Sequence, residues 1–212
     1  MEAIPEKDLF MMCETLDPSA LSAMPERYSV RLCREDEVDE WIALHVDDPS
    51  QQMEIETMMK EYFGRVYAKH GGLFFQRCLF ACDERNRPVG TCFIWKAYGR
   101  VNTLHWLKVR KDQEGKGIGR SLLSHVMQTL SADAYPVFLH THPSCFRAIK
   151  LYSDFGFAFL TDDRIGYRPN DLEECLPILS RVMPTSAYDR LRFIKAPQVF
   201  LDAAGSSEIS EF

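Results

Sequence analysis

The chain has 212 residues, of which 46% are hydrophobic and 26% charged, and a formal net charge of −6. That balance is ordinary for a globular domain long enough to bury a real core, and the negative charge argues against broad binding of nucleic acid or anionic membranes. The start, M-E-A-I-P-E-K-D, has no basic region leading into an apolar run, no stretch approaches membrane-spanning length, and the seven cysteines form no C-x-x-C pair. Reduced thiols and a cytoplasmic protein are therefore expected.

Residues 1–27 hold a weak helical stretch and proline turn signals, and are read as an N-terminal extension. Tyr28–Cys33 reads as a first strand, followed by helical spacing at Val38, Trp41, Ile42 and His45. Asp48-Pro49 then supplies an N-cap and first-turn pair for a second helix. Its stripe, Ile55, Met58, Met59, Tyr62, Phe63, Val66 and Tyr67, is expected to face the core and is closed by Gly71-Gly72. Strands are expected at Leu73–Cys82, Val89–Tyr98 and Asn102–Val109, then at Val137–His142 and Phe157–Thr161. Helices lie between the last three of these strands. A final helix, Leu172–Met183, contains Pro177 and should bend or break there. The tail G-S-S-E-I-S-E-F reads as loose.

The most informative stretch joins a strand to a helix. Leu104, Trp106, Leu107 and Val109 run into a polar turn with Gly115, Gly117 and Gly119, and a helix with an apolar stripe at Leu122, Leu123, Val126, Met127 and Leu130 follows at once. Glycines let backbone approach a ligand closely, and the helix start behind them presents unpaired N–H groups and a positive dipole end. This is a pyrophosphate cradle. The spacing fails the Walker pattern and fits the dinucleotide pattern poorly, since both glycine gaps are one residue and the run Tyr135-Pro136-Val137-Phe138 stands where the acidic residue is wanted. An ATP or NAD binder reusing the turn is the rival that this leaves.

The same run resembles the acetyl-CoA loop of the GNAT-type N-acetyltransferases, Arg/Gln-x-x-Gly-x-Gly/Ala, with Gly117 and Gly119 as its glycines. Glu114 stands in the Arg/Gln place, with Gln113 one residue early. Downstream, Ala148-Ile149-x-Leu151-Tyr152-x-x-x-Gly156-Phe157 is similar to a second motif of that family, and Gly156 sits where a C-terminal cap belongs. The resemblance covers Tyr28–Arg168, read as the acetyltransferase domain 28–168, and leaves 169–212 as a C-terminal helical extension and tail. It implies an α/β fold with a mixed, mostly antiparallel central sheet flanked by helices.

It also implies a reaction: acetyl transfer from acetyl-CoA to a primary amine of a small molecule or peptide, by direct attack in a ternary complex. A catalytically silent acyl-CoA-binding module on the same fold is the alternative. The cofactor would lie against the backbone of Leu107, Lys108 and Val109 and the turn Gln113, Glu114, Gly115, Lys116, Gly117, Ile118, Gly119, Arg120 and Ser121. Cys145 occupies a place where the family often has an asparagine that bonds the pantetheine arm. Tyr152 falls where the family has a general acid for the thiolate. His105 lies at the offset where the related arylalkylamine acetyltransferases carry a histidine serving amine deprotonation, and Thr103 stands where their partner histidine would be. By strand alternation His105 should share a face with Thr103, Leu107 and Val109. His140 and His142 form an H-x-H with no converging third ligand in view, so no metal is expected. Partners are limited to acetyl-CoA and an amine acceptor, with no nucleic acid and no membrane; a homodimer is allowed.

Overall fold

A computed structural model describes residues 4–207 and 210–212. The chain packs into two compact units, Met1–Ala20 with Lys96–Thr103 and Leu130–Phe212, and Leu21–Trp95 with Leu104–Thr129. In chain order the elements are β1 (Leu9–Cys13), β2 (Ser29–Leu32), α1 (Val38–Ala43), α2 (Gln52–Val66), β3 (Leu79–Cys82), β4 (Pro88–Ala97) and β5 (Val101–Val109). Then come α3 (Ile118–Gln128), β6 (Val137–Thr141), α4 (Phe146–Asp154), β7 (Phe157–Leu160), β8 (Arg164–Ile165) and β9 (Arg168–Pro169). The last are α5 (Leu172–Val182), α6 (Thr185–Tyr188), β10 (Phe193–Ile194) and α7 (Gln198–Gly205). Hydrogen bonds order the main sheet β10-β7-β1-β6-β5-β4-β3-β2, the mixed and mostly antiparallel sheet that the motifs imply. Among the described residues no helix is long and apolar enough to cross a membrane.

In the first unit β1 is central. It pairs antiparallel with β6 (Leu9↔Thr141, Met11↔Leu139) and with β7 (Met11↔Phe159), and all five of its residues are buried. This corrects the weak helix read in the first 27 residues. A short unbroken apolar run, Leu-Phe-Met-Met-Cys, has neither alternation nor helical period, and burial on both faces removes the need for either. β6 pairs in parallel with β5 at Asn102↔Val137 and Thr103↔Phe138.

The C-terminal residues complete this unit. β10 pairs in parallel with β7, and Phe200 of α7 stacks on Phe138 with ring centroids 3.8 Å apart. Within the tail, Glu211 accepts a hydrogen bond from the Tyr98 N–H at 2.7 Å, and the Phe212 ring lies against Phe10, Tyr98 and Phe200. Those residues are anchored and not loose; Glu208 and Ile209 of the tail, like residues 1–3 of the N-terminal extension, lie outside the described residues. Helix α5 runs unbroken through Pro177.

In the second unit Asp48 caps a 3-10 turn, Pro49–Gln51, that leads into α2, its side chain accepting the Ser50 N–H at 2.9 Å. The α2 stripe is buried only in part. Met59 and Val66 are enclosed, with Tyr67 just past the helix end, whereas Met58 is 53% exposed. The expected strand Leu73–Cys82 is extended only over β3, because Phe74 turns inward against Trp41, Phe63 and Phe93 and the chain bends through Cys78 N–H to Phe74 O.

Candidate active site

The glycine turn is an exposed loop of the second unit. After β5 the chain makes a 3-10 turn at Lys111–Gln113, then passes Gly115 (φ 76°) and Gly117 (φ 85°) into α3. Both glycines are in the left-handed region, which costs a residue with a Cβ about 1–2 kcal/mol. Gly117 is the N-cap and offers no side chain, so no cap hydrogen bond closes the helix start; the Ser121 N–H bonds Gly117 O at 3.0 Å. The first turn of an α-helix has no carbonyl one turn behind it to receive its N–H groups, and the dipole adds partial positive charge at this end.

The turn's side chains hold one another. Arg110 grips Asp112 through two hydrogen bonds of 2.6 and 2.8 Å, keeping that carboxyl well below the usual carboxylate range. Gln113 Oε1 receives both Tyr28 Oη at 2.9 Å and Lys116 Nζ at 2.8 Å. Ser121 is buried, with its hydroxyl on Ala23 O at 2.7 Å and Gly117 O at 3.0 Å, so its donors serve the protein's own backbone. Glu114 is exposed at the rim.

Upstream, β5 departs from strand alternation. Trp106 has φ 51°, a left-handed conformation costing an indole side chain about 1–3 kcal/mol. In a regular strand residues 105 and 106 point to opposite faces. Here His105 Nδ1 lies 2.5 Å from the Tyr67 hydroxyl, and Trp106 Nε1–H donates to that same oxygen at 2.9 Å. The expected face shared by His105, Leu107 and Val109 is therefore interrupted, a way in which irregular strands re-aim side chains beside functional sites. His105 is 3% exposed, its Nε2 is buried with no hydrogen-bond partner among the described residues, and burial pushes its pKa down to about 3. Rings of Tyr67 and Phe93 flank it. Lys108 pairs with Asp47 at 2.5 Å.

The remaining sequence-derived residues lie in the first unit. Tyr152 is buried on α4 with its ring 5.7 Å from Phe157. Gly156 follows that helix at φ 101°, and a Cβ there would meet Thr15 O at 2.5 Å, so the motif's glycine answers both a turn and a close approach. Cys145 is an exposed free thiol at the N-cap of α4.

The histidine pair at the end of β6, His140 within it and His142 just past it, has a third converging group that sequence reading missed. Asp8 Oδ1 lies 2.8 Å from His140 Nε2, and donor atoms of Asp8, His140 and His142 all fall within 4.8 Å of one another. The positive charge that Asp8 calls for comes from Arg168, which donates to its carboxylate at 2.8 Å and also touches His140 Nε2. His142 Nδ1 is 3.0 Å from Lys7 O. His140 and Arg168 hold Asp8 far below the usual carboxylate range, while burial takes His140 down to about 4.

The chain matches the model of the acetyltransferase (GNAT) family over residues 33–157. Among curated proteins none matches it. Similar solved structures include a tandem GNAT protein from the clavulanic acid biosynthesis pathway, at 13% identity and TM-score 0.52, covering 80% of this chain and 51% of that one. An acetyltransferase of the GNAT family from Colwellia psychrerythraea is 12% identical with TM-score 0.50, covering 74% of this chain and 54% of that one. The chain thus spans about half the length of these structures, and at such identities they speak for the fold alone. The family match spans both the glycine turn and the Tyr152 helix, and the chain belongs to the GNAT acetyltransferase family.

Proposed function

We propose that this chain transfers the acetyl group of acetyl-CoA to a primary amine of a small molecule or peptide. The observation that carries the reading is the helix start at Gly117. Two left-handed glycines bare the backbone there, the N-cap residue has no side chain with which to close the helix start, and the turn is exposed, as a diphosphate cradle requires. Backbone donors at Gly115, Lys116, Gly117, Ile118, Gly119 and Arg120 would hold the diphosphate, with Lys116 and Arg120 adding charge. Ser121 braces the turn from inside. Leu107, Lys108 and Val109, beyond the two β5 residues that pair with β6, would offer main chain to the pantetheine arm, and Cys145 is proposed beside that arm.

Acetyl-CoA supplies the activated carbonyl as a thioester. The amine nitrogen bonds to that carbonyl carbon, the C–S bond breaks, and two protons must move. Tyr152 gives its phenolic proton to the departing sulfur and regains one from water when CoA leaves; a phenol of pKa near 10 can donate to a thiolate. His105 receives the proton that the nitrogen sheds. With a pKa of about 3 its ring cannot keep a second proton, so it must pass one on as it takes one up. The free thiols and the absence of a membrane-length helix among the described residues suit a cytoplasmic setting.

Glu114 favours a second reading, a silent acyl-CoA-binding module, because a carboxylate in the Arg/Gln place repels phosphate. A thiol-release assay with acetyl-CoA against small amines, amino acids, polyamines and peptides separates the two. Release that depends on one amine class supports transfer. Thermal stabilisation by CoA with no release for any amine supports the silent module, and protection by ATP or NAD but not CoA overturns both.

A further inference from the structure

The buried histidine raises a question that the reaction itself does not answer: where the acceptor's proton goes. His105 sits among Tyr67 and Phe93 rings, and an imidazolium there is strongly disfavoured. A neutral imidazole has two nitrogens, however, and can gain a proton at one while losing one from the other.

Three side chains meet behind His105. The indole of Trp106 is a donor only, so Tyr67 Oη must be the acceptor in their 2.9 Å bond. Tyr67 has one hydroxyl hydrogen and shares a further side-chain hydrogen bond with Tyr62, whose ring lies 5.6 Å away and which is only half-buried. Directing that hydrogen to Tyr62 leaves a lone pair of Tyr67 for His105 Nδ1–H, 2.5 Å away. The order Trp106 to Tyr67, His105 to Tyr67, Tyr67 to Tyr62 uses each donor once. It leaves His105 Nε2 as a buried lone pair, matching its lack of a hydrogen-bond partner among the described residues. The left-handed backbone of Trp106 is what brings two successive side chains to one hydroxyl.

We propose that Tyr67 is a positioning residue for His105, fixing its Nδ1–H tautomer, and that Tyr67 and Tyr62 carry the acceptor's proton out to water. This rests on the acetyl-transfer reading of His105. The amine's proton moves to Nε2 as the Nδ1 proton moves to Tyr67 Oη, the Tyr67 proton to Tyr62 Oη and the Tyr62 proton to water. Every group ends neutral, so no charge is left in the aromatic box. When the product leaves, the Nε2 proton passes to water and the chain runs back, restoring the first tautomer. The stripe of α2 that reads as plain core thereby includes two hydroxyls with work to do.

Nitrogen-15 histidine NMR on the full chain tests the order without substrate. The proposal expects His105 protonated at Nδ1; an Nε2–H tautomer overturns it. In thiol-release kinetics, Tyr67→Phe should lower kcat by about 10²-fold with the KM for acetyl-CoA unchanged. Tyr62→Phe, at a half-buried site, should lower it by roughly tenfold, since water can stand in. Combining Tyr67→Phe with His105→Ala should cost no more than His105→Ala alone, because Tyr67 acts through that ring. Independent, multiplying losses would mark Tyr67 as a packing residue and overturn the proposal, as would wild-type kcat in Tyr67→Phe. A wild-type chain releasing no thiol for any amine, with His105 still Nδ1–H, would sink the acetyl-transfer reading and leave the hydrogen-bond order standing.

Discussion

Two histidine clusters, one in each unit, answer burial in opposite ways. Around His140 the protein supplies charge: Asp8 and Arg168 meet its Nε2, and His142 is tied to Lys7 O. Around His105 it supplies aromatic rings and one hydroxyl, and leaves Nε2 without a partner. Both rings are held neutral, at about 4 and about 3. The first arrangement is closed on itself and stabilises the joint between the segment before β1, β6 and β9. The second leaves a buried polar atom unsatisfied, as at the neighbouring His45 Nε2, and holds a tryptophan backbone in the left-handed region.

Substitution should separate the two most sharply in turnover. His105→Ala is expected to lower kcat by roughly 10²-fold, whereas His140→Ala should leave kcat within a few-fold; steady-state thiol release reads both. Equal losses would erase the distinction. The order reverses for stability. Asp8→Ala removes the carboxylate shared by Arg168 and His140, leaving the guanidinium only the neutral acceptors Ser210 Oγ and Phe212 O, and should cost about 2–3 kcal/mol in urea unfolding.

Acid should sharpen the contrast further. Both histidines have folded pKa values below the unfolded value near 6.5, so the unfolded chain binds more protons and stability is lost as pH falls. For His140 that loss should run from about 6.5 to about 4, and for His105 on to about 3. Asp8, with its folded pKa below 3.8, adds its own loss as pH falls through and below 4. Melting curves of His140→Gln should therefore flatten only the upper part of the acid limb, and those of His105→Gln should flatten it throughout.

The glycine turn and the Tyr152 helix were legible because their signals are local: three glycines within five residues, and a tyrosine four residues before a glycine that must be a glycine. β1 was not, since five apolar residues carry no period when both faces are buried. Asp8 escaped notice beside His140 because 132 residues separate them and only the strand register Leu9↔Thr141 brings them together. The side shared by His105 and Trp106 depends on a single positive φ at a tryptophan, a conformation no propensity anticipates. The α2 stripe was read as core by its spacing, yet Met58 is exposed and the stripe's C-terminal end carries the Tyr67 hydroxyl.

The central claim is that main-chain amides at the start of α3 receive the coenzyme's diphosphate. Backbone amide NMR during a titration with CoA tests it most directly. The account predicts large, saturable shifts at Gly115, Gly117 and Gly119, with smaller ones elsewhere in α3. Saturable binding that leaves those three amides unmoved while others shift would contradict it.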